Sequence, residues 1–313
     1  MNKYISIFTA FVIAASSFSA DIEISESLSE GIKLLNGREY EKAIDLLVKS
    51  AAEHSTEKGI TYYYIGEAYY NLGLANRRSG DTLVYFSKAA EFFTDALEQV
   101  DLQVNYSEKA PLARYKTGWC YFRQAETAAE ALPLLRKAAA SFEDVGVCMN
   151  RKIANETLYM NGETNIRLAK LNYRKAALYR APADKQFRAD AQIYLNKAKE
   201  QFAAVSESND ADVFLKAASA VRLQDAAFIE HRFHAVEVSV SGESLQETAA
   251  QILDDTEGGY SALGENIPAG LQDKWQPVLL HSQAYADLIT YLAGGTAEQL
   301  FTLNSTLDKL KKN

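Results

Sequence analysis

A glycine recurs inside segments that otherwise have the composition of α-helices, and this recurrence constrains the fold more than any other feature of the chain. In "YYYIGEAYYNLG" (62–73), an aromatic residue is followed by an aliphatic residue, then directly by Gly66, then by another tyrosine. A glycine in a helix interior costs about 1 kcal/mol relative to alanine. Its presence indicates that another part of the chain approaches so closely that a side chain would not fit.

The same arrangement returns along the chain, around Gly31, Gly118 and Gly162. Each glycine is followed by a segment in which small and large residues recur at helical spacing. The residues in those segments are Tyr40, Ala43, Leu47 and Ser50; Phe86, Ala89, Phe93 and Ala96; Ala131, Leu135 and Ala138; and Ala191, Leu195 and Ala198. A weaker fifth copy contains Ala218 and Val221.

These copies resemble the tetratricopeptide repeat (TPR) family, in which a helix-turn-helix unit recurs about every 34 residues. The resemblance covers residues 22–235 and implies an all-α, right-handed solenoid of helical hairpins. It also implies that Gly66 and Ala89 mark the close approach within one hairpin. Gly31 and Ala43 are 12 residues apart, whereas Gly66 and Ala89 are 23 apart and Gly162 and Ala191 are 29 apart. Elongated helices are therefore expected, with a break at Ala181-Pro182.

The residues after the repeats are less regular. "HAVEVSVSGES" (234–244) is rich in β-branched residues and predicts a strand ending in a turn. Ser244 and Glu247 form a capping box for a helix, residues 271–295 predict a long helix, and Thr296 with Gln299 opens a final one. We expect a repeat array over 20–236 and a helical C-terminal cap over 237–313 that covers the end of the solenoid.

The N-terminus has the pattern of a secretory signal peptide. Lys3 precedes an apolar run at 4–15, and Ser17-Phe18-Ser19 supplies small residues for cleavage near Ser19 or Ala20. Residues 1–19 are therefore predicted to direct export, with a periplasmic mature chain. An N-terminal membrane anchor is the alternative, although the run is short for a membrane span. The rest of the sequence predicts no transmembrane segment.

Charge and cysteine content narrow the classes of partner. Without Lys3 the chain has 32 basic and 41 acidic side chains, a balance that argues against nucleic-acid binding and against docking to anionic lipid. Cys120 and Cys148 invite a disulfide in an oxidising compartment. The helix prediction places them at opposite ends of neighbouring helices, beyond the roughly 7 Å that a disulfide spans.

The resemblance implies a concave surface lined by the first helix of each hairpin. Its positions lie one residue after the first large residue and then four, seven and eight residues on, which is one helical face. The first copy supplies an apolar set at Leu28, Ile32, Leu35 and Asn36. The candidate partner-binding residues, here called the predicted groove residues, are Tyr63, Glu67, Tyr70, Asn71, Tyr115, Trp119, Phe122, Arg123, Tyr159, Glu163 and Arg167.

Two interpretations of these residues stay open. Rigid aromatic rings with arginine and asparagine beside them are typical of peptide-binding surfaces, where Arg123 and Arg167 would pair with carboxylates or carbonyls. In that case Tyr62 and Tyr69 pack between helices, and Tyr63 and Tyr70 face the groove. Aromatic residues at helical spacing are also common in cores, so the same rings are consistent with internal packing.

Other chemistry is weakly supported. His231 and His234 lie three residues apart near Glu230 and Glu237, without a strong third zinc ligand. The sequence contains no nucleophile, metal or phosphate-loop motif. We therefore expect a non-enzymatic interaction scaffold of the bacterial cell envelope, without cofactor or metal, that binds a protein or peptide segment. A periplasmic small-ligand carrier associated with a transporter is the alternative, and an enzyme is the third class.

Overall fold

The protein is described here by a computed structural model, which covers residues 24–76, 80–145, 150–179, 182–241 and 297–312. The described chain is all α, with about ten helices packed in sequence as antiparallel neighbours and no strand among these residues. The helices are α1 (Glu26–Asn36), α2 (Tyr40–Glu53), α3 (Lys58–Ala75), α4 (Thr82–Leu97), α5 (Val100–Val104), α6 (Lys109–Gln124), α7 (Ala131–Glu143), α8 (Arg151–Leu178), α9 (Ala183–Glu207), α10 (Val213–Ser241) and a C-terminal helix (Ala297–Lys312).

The helices form four hairpins, α1–α2, α3–α4, α6–α7 and α8–α9, and α10 follows the last of them. The first helices of successive hairpins, together with α10, also contact one another in chain order. This pattern brings α3, α6 and α8 side by side, which are the helices that carry the predicted groove residues. None of the described helices is long and apolar enough to cross a membrane.

A glycine lies at the closest approach within each hairpin, as the sequence predicts. A Cβ atom added to any of these glycines would lie within 3 Å of a side chain on the second helix, where no real Cβ atom fits. The pairs are Gly31 with Leu47, Gly66 with Phe93, Gly118 with Phe142, and Gly162 with Phe202. The expected neighbour of Gly66 was Ala89, which is fully buried one helical turn earlier, so the large ring is the contact residue.

The contacts correct the register of the third and fourth copies. The sequence pattern aligns Ala131-Leu135-Ala138 and Ala191-Leu195-Ala198 with the first two copies. The structure instead aligns the triplets that begin seven residues later, at Ala138 and Ala198, because their second members are Phe142 and Phe202. Seven residues are two helical turns, so both frames lie on the same buried face.

The long helices of the fourth hairpin are confirmed, and so is the break between them. Helix α8 ends at Leu178, and α9 begins at Ala183, directly after Pro182. Proline is tolerated at the start of a helix because the first amide groups have no intrahelical acceptor. Polar side chains are buried along α8, including Asn165 and Asn172.

The predicted strand in "HAVEVSVSGES" is wrong. Residues up to Ser241 continue α10, which therefore crosses the expected boundary at 236. β-Branched residues lower helix propensity by only a few tenths of a kcal/mol each, and neither glycine nor proline occurs between Val213 and Ser241.

Other parts of the expected C-terminal cap lie outside the described residues, including the capping box at Ser244 and the helix over 271–295. The final helix begins at Ala297, directly after the predicted opening residue Thr296. The signal peptide at 1–19 also lies outside the described residues.

Candidate functional site

Tyr63, Tyr115 and Tyr159 occupy the same position in successive copies and are here called the tyrosine row. This row belongs to the packing of the hairpins. Each of its tyrosines lies three residues before a packing glycine, and its ring contacts the same phenylalanine that the glycine admits. The ring centroids are 5.7 Å apart for Tyr63 and Phe93, 6.0 Å for Tyr115 and Phe142, and 5.6 Å for Tyr159 and Phe202. Tilted and edge-on contacts at these distances are the favourable arrangements of aromatic pairs.

This packing corrects the expected orientation of Tyr63. Its side chain is only 5% exposed and belongs to the core, so it presents no open surface. Burial, with the Glu67 carboxylate beside it, raises the pKa of the Tyr63 hydroxyl well above its ordinary value. Tyr62 and Tyr69, which were expected to pack between helices, do so, since both rings lie 5.7 Å from Phe92.

Glu67 and Lys116 form a buried ion pair that joins α3 to α6. The Lys116 ammonium also lies 5.3 Å from the centre of the Tyr70 ring, and the Asn71 side chain donates to the Glu67 carbonyl at 2.9 Å. Sequence reasoning missed Lys116. Its spacing in the sequence indicates the pair, because Ala113, Lys116 and Cys120 lie on one buried helical face. A charged side chain on such a face requires a partner of opposite charge.

Tyr115 and Glu156 join α6 to α8. The Tyr115 hydroxyl donates to a Glu156 carboxylate oxygen at 3.3 Å. Burial raises the pKa of the Glu156 carboxyl above its ordinary value, and it also raises the pKa of Tyr115. The hydroxyl is therefore neutral at neutral pH and can donate.

Glu163 joins α8 to α10 through an ion pair with Arg222. The two Glu163 carboxylate oxygens lie 2.5 Å from Arg222 Nε and 3.3 Å from Arg222 Nη2. The remaining nitrogen, Nη1, lies 2.8 Å from an Asp225 carboxylate oxygen. Burial is the main cause that raises the pKa of the neighbouring Tyr159 hydroxyl. Glu67 and Glu163, both predicted to face a partner, are thus paired within the chain. Glu67 connects two neighbouring hairpins, and Glu163 connects the last hairpin to α10.

A different kind of group, here called the arginine cluster, contains four other predicted groove residues and one glutamate: Trp119, Phe122, Arg123, Arg167 and Glu126. The Arg123 guanidinium lies 4.9 Å from the centre of the Trp119 ring, and the Arg167 guanidinium lies 3.8 Å from that of Phe122. The Trp119 and Phe122 rings are themselves in edge contact at 5.9 Å. Planar guanidinium groups stack well on aromatic faces.

Glu126 completes the arginine cluster and was missed by sequence reasoning. One of its carboxylate oxygens accepts from Arg123 at 3.1 Å, and the other accepts from Arg167 at 3.2 Å. The signal in the sequence is the three-residue spacing between Arg123 and Glu126, a common spacing for ion pairs. Arg123 is 11% exposed, Glu126 30% and Arg167 37%, so the cluster reaches the surface from a buried base.

The structure therefore divides the predicted groove residues. Tyr63, Glu67 and Lys116 make an interior contact, whereas the arginine cluster presents its charged groups and part of Trp119 at the hairpins of α6 and α8. Phe122, although predicted to face a partner, is only 4% exposed and forms the buried base of the cluster. The first-copy residues Leu28 and Leu35 pack into the core clusters.

The candidate metal and disulfide residues are only partly covered by the structure. Among the described residues, no three His, Cys, Asp or Glu side chains are grouped so that they could hold a metal ion. The side chains of His231, His234 and Glu237 lie outside what the structure describes. Cys120 is buried, and its proposed partner Cys148 also lies outside the described residues.

Comparison of the chain with protein-family models, with curated proteins and with solved structures finds no match in any of the three.

Proposed function

We propose that the protein is a non-enzymatic interaction scaffold built as a right-handed, TPR-like solenoid, and that it binds a partner polypeptide at the arginine cluster. The contacts among α1, α3, α6, α8 and α10 support this architecture, because first helices that touch in chain order line one side of such a solenoid. The observation that carries the binding proposal is the pair of guanidinium groups stacked on aromatic rings at a partly exposed position.

The chemistry of the arginine cluster suits recognition of a peptide. Arginine and tryptophan dominate the binding energy of many protein interfaces, since they combine apolar area with directed hydrogen bonds. The Trp119 and Phe122 rings hold both guanidinium groups in place before a partner arrives, so little side-chain entropy remains to be lost. A repeat fold alone does not specify a function, so the arginine cluster is the feature that supports this proposal.

We place this function in the bacterial cell envelope, with export directed by residues 1–19. The positive n-region, the short apolar run and the small residues at 17–19 support export. N-terminal sequencing of protein purified from the periplasmic fraction should give a mature chain that begins near Ala20 or Asp21. Recovery of the uncleaved chain from the cytoplasm would overturn the assignment.

Site-specific photocrosslinking in the native cell tests the scaffold proposal. A photoreactive residue in place of Lys170, which is exposed one helical turn after Arg167 on α8, keeps both arginines and should give one discrete heavier band that mass spectrometry can identify. The matched control is Lys197, a 45% exposed cation paired with Glu143 on a different pair of helices. The double variant Trp119→Ala, Arg123→Glu should remain helical by circular dichroism and lose its partner. Absence of a band, or equal bands at both positions, would refute the proposal.

A second candidate, the small-ligand carrier, is favoured by one observation in the interior. The Asn165 and Asn172 side-chain oxygens and the Ser219 hydroxyl are buried and make no hydrogen bond within the described chain. Buried acceptors normally have a partner, so a small polar ligand or water is a candidate occupant. Native mass spectrometry of protein purified from its host should then show a small bound mass that Asn172→Leu abolishes. Identical native and denatured masses would exclude a retained ligand.

A further inference from the structure

The carboxylate of Glu126 occupies the position that a partner's acidic group would take. It lies two residues beyond the end of α6, in the turn before α7, and it accepts one hydrogen bond from each of the two arginines. Two guanidinium groups share this one carboxylate, so the arginine cluster keeps one unbalanced positive charge at neutral pH. The cluster is therefore complementary to an acidic ligand even with Glu126 in place.

The Arg123 guanidinium has a further unused donor. Its Nε atom is buried and has no hydrogen-bond acceptor within the described residues. Most buried N–H groups have an acceptor, and arginine prefers two parallel hydrogen bonds to a carboxylate. Glu126 contacts Arg123 through one nitrogen, Nη1, so a second acceptor is missing on this guanidinium.

Two of the three charged side chains, Glu126 and Arg167, are exposed enough for an incoming carboxylate to reach them. Glu126 and Arg167 are 30% and 37% exposed, and ion pairs at such positions are weak because water screens them. Arg123 is far less exposed and is held against the Trp119 ring. An incoming carboxylate can thus replace Glu126 while the arginines stay in place.

We propose that Glu126 is an internal competitor that occupies the arginine cluster in the free protein, and that the partner displaces it with the side-chain carboxylate of an Asp or Glu residue. This inference rests on the proposed function and specifies the chemistry of the partner. A side-chain carboxylate is chosen because the group that the cluster binds in the free protein is itself a glutamate side chain on a turn. Partner binding releases Glu126 to solvent, so it removes the ion pairs that hold the turn between α6 and α7 to the two arginines.

Fluorescence polarisation with a labelled peptide tests the inference. The probe is a fluorescein-labelled, C-terminally amidated peptide with four consecutive glutamates flanked by Gly-Ser, and the same peptide with four glutamines is its control. Glu126→Gln removes the competing charge at nearly constant volume, so it should tighten binding of the glutamate peptide about threefold or more. Glu143→Gln, at a more exposed ion pair on α7, should leave the affinity unchanged.

Two competitors identify the source of the carboxylate. Unlabelled glutamate peptide should displace the probe. Free glutarate, or a neutral peptide with a free C-terminal carboxylate, should not displace it at the same carboxylate concentration. Equal competition by either would assign the arginine cluster to that ligand and overturn the choice of a side-chain carboxylate.

Different results would contradict the competitor role of Glu126 and the scaffold function of the protein. Unchanged or weaker binding by Glu126→Gln would overturn the competitor role. If the crosslink at position 170 persists in that case, the scaffold proposal stands. Absence of a crosslink from a chain whose only change is the probe at position 170 would instead overturn the scaffold proposal itself.

Discussion

Replacing the packing glycines by alanine should destabilise the protein, although alanine is the better helix former. The new methyl group at Gly66, Gly118 or Gly162 would lie 2.8, 2.7 or 2.7 Å from its nearest phenylalanine ring atom. Ordinary van der Waals contact begins near 3.4 Å, so each ring or helix must move by about 0.7 Å. The rings of Phe93, Phe142 and Phe202 are almost completely buried and surrounded by other side chains, which leaves them little room to move.

Two opposing free energies set the magnitude. Gly→Ala in a helix interior favours folding by about 1 kcal/mol. Overpacking a well-filled core costs about 1–3 kcal/mol, and a displacement against an aromatic ring belongs in the upper part of that range. The net effect is a loss of about 1–2 kcal/mol for each variant. For a chain of 313 residues, the melting temperature should fall by about 1.5–3 °C.

Thermal and urea unfolding, followed by far-UV circular dichroism, measure the effect. Gly80→Ala is the matched control, because a Cβ atom at Gly80 meets nothing within 4 Å. This control should lie within about 0.5 kcal/mol of wild type. Gly31→Ala should cost less than the aromatic cases, since Leu47 can change rotamer.

A double variant separates the contact from a general effect of alanine. Phe202→Leu shortens the side chain that meets residue 162, so Gly162→Ala with Phe202→Leu should be more stable than the sum of the two single changes predicts. An increase in melting temperature for Gly66→Ala, Gly118→Ala and Gly162→Ala would refute the reasoning. It would mean that helix propensity outweighs the contact and that the hairpins tolerate a wider separation.

Two further predictions concern the contacts that join the hairpins. Lys116→Met leaves the Glu67 carboxylate buried without its partner and should cost about 3 kcal/mol of unfolding free energy in urea, whereas Glu67→Leu combined with Lys116→Met should recover most of it; equal losses in both would contradict the pairing. The pKa of Glu156 is raised by burial, so the folded state binds this proton more tightly than the unfolded state. Its contribution to stability is greatest below the unfolded pKa and is lost as pH rises through the folded pKa. Glu156→Gln should therefore flatten the dependence of melting temperature on pH above about 4.5, and an unchanged slope would contradict this.

The sequence predicts the hairpins well because a helical glycine has few explanations. Gly66 and its equivalents lower helix propensity, so their repeated presence indicates contacts, and the structure confirms those contacts. The register of the third and fourth copies is less determined. Helices α7 and α9 repeat small and large residues every seven positions, so two frames fit equally well until the partner of the glycine is known.

The remaining errors have local causes. The strand predicted near 234–240 follows from β-branched composition, which is a weak signal when no helix breaker is present. The sequence predicts an exposed Tyr63 because the periodicity of a single helix shows which residues share a face. It does not show which neighbouring helix covers that face. Glu126 lies in a turn outside any repeated position, so the repeat pattern gives it no role, although its spacing from Arg123 indicates an ion pair.

The residue four positions after Tyr63, Tyr115 and Tyr159 explains why recognition should centre on the arginine cluster, which joins the α6–α7 and α8–α9 hairpins. In α3 and α8 this position is a glutamate, Glu67 or Glu163, and each is paired with a cation of the next first-position helix or of α10. In α6 it is Trp119, which pairs with no such group and instead supports Arg123. The ion pairs that hold α3 to α6 and α8 to α10 thus already neutralise the Glu67 and Glu163 carboxylates within the chain. We therefore expect a partner to bind at the arginine cluster rather than along the whole row of tyrosines.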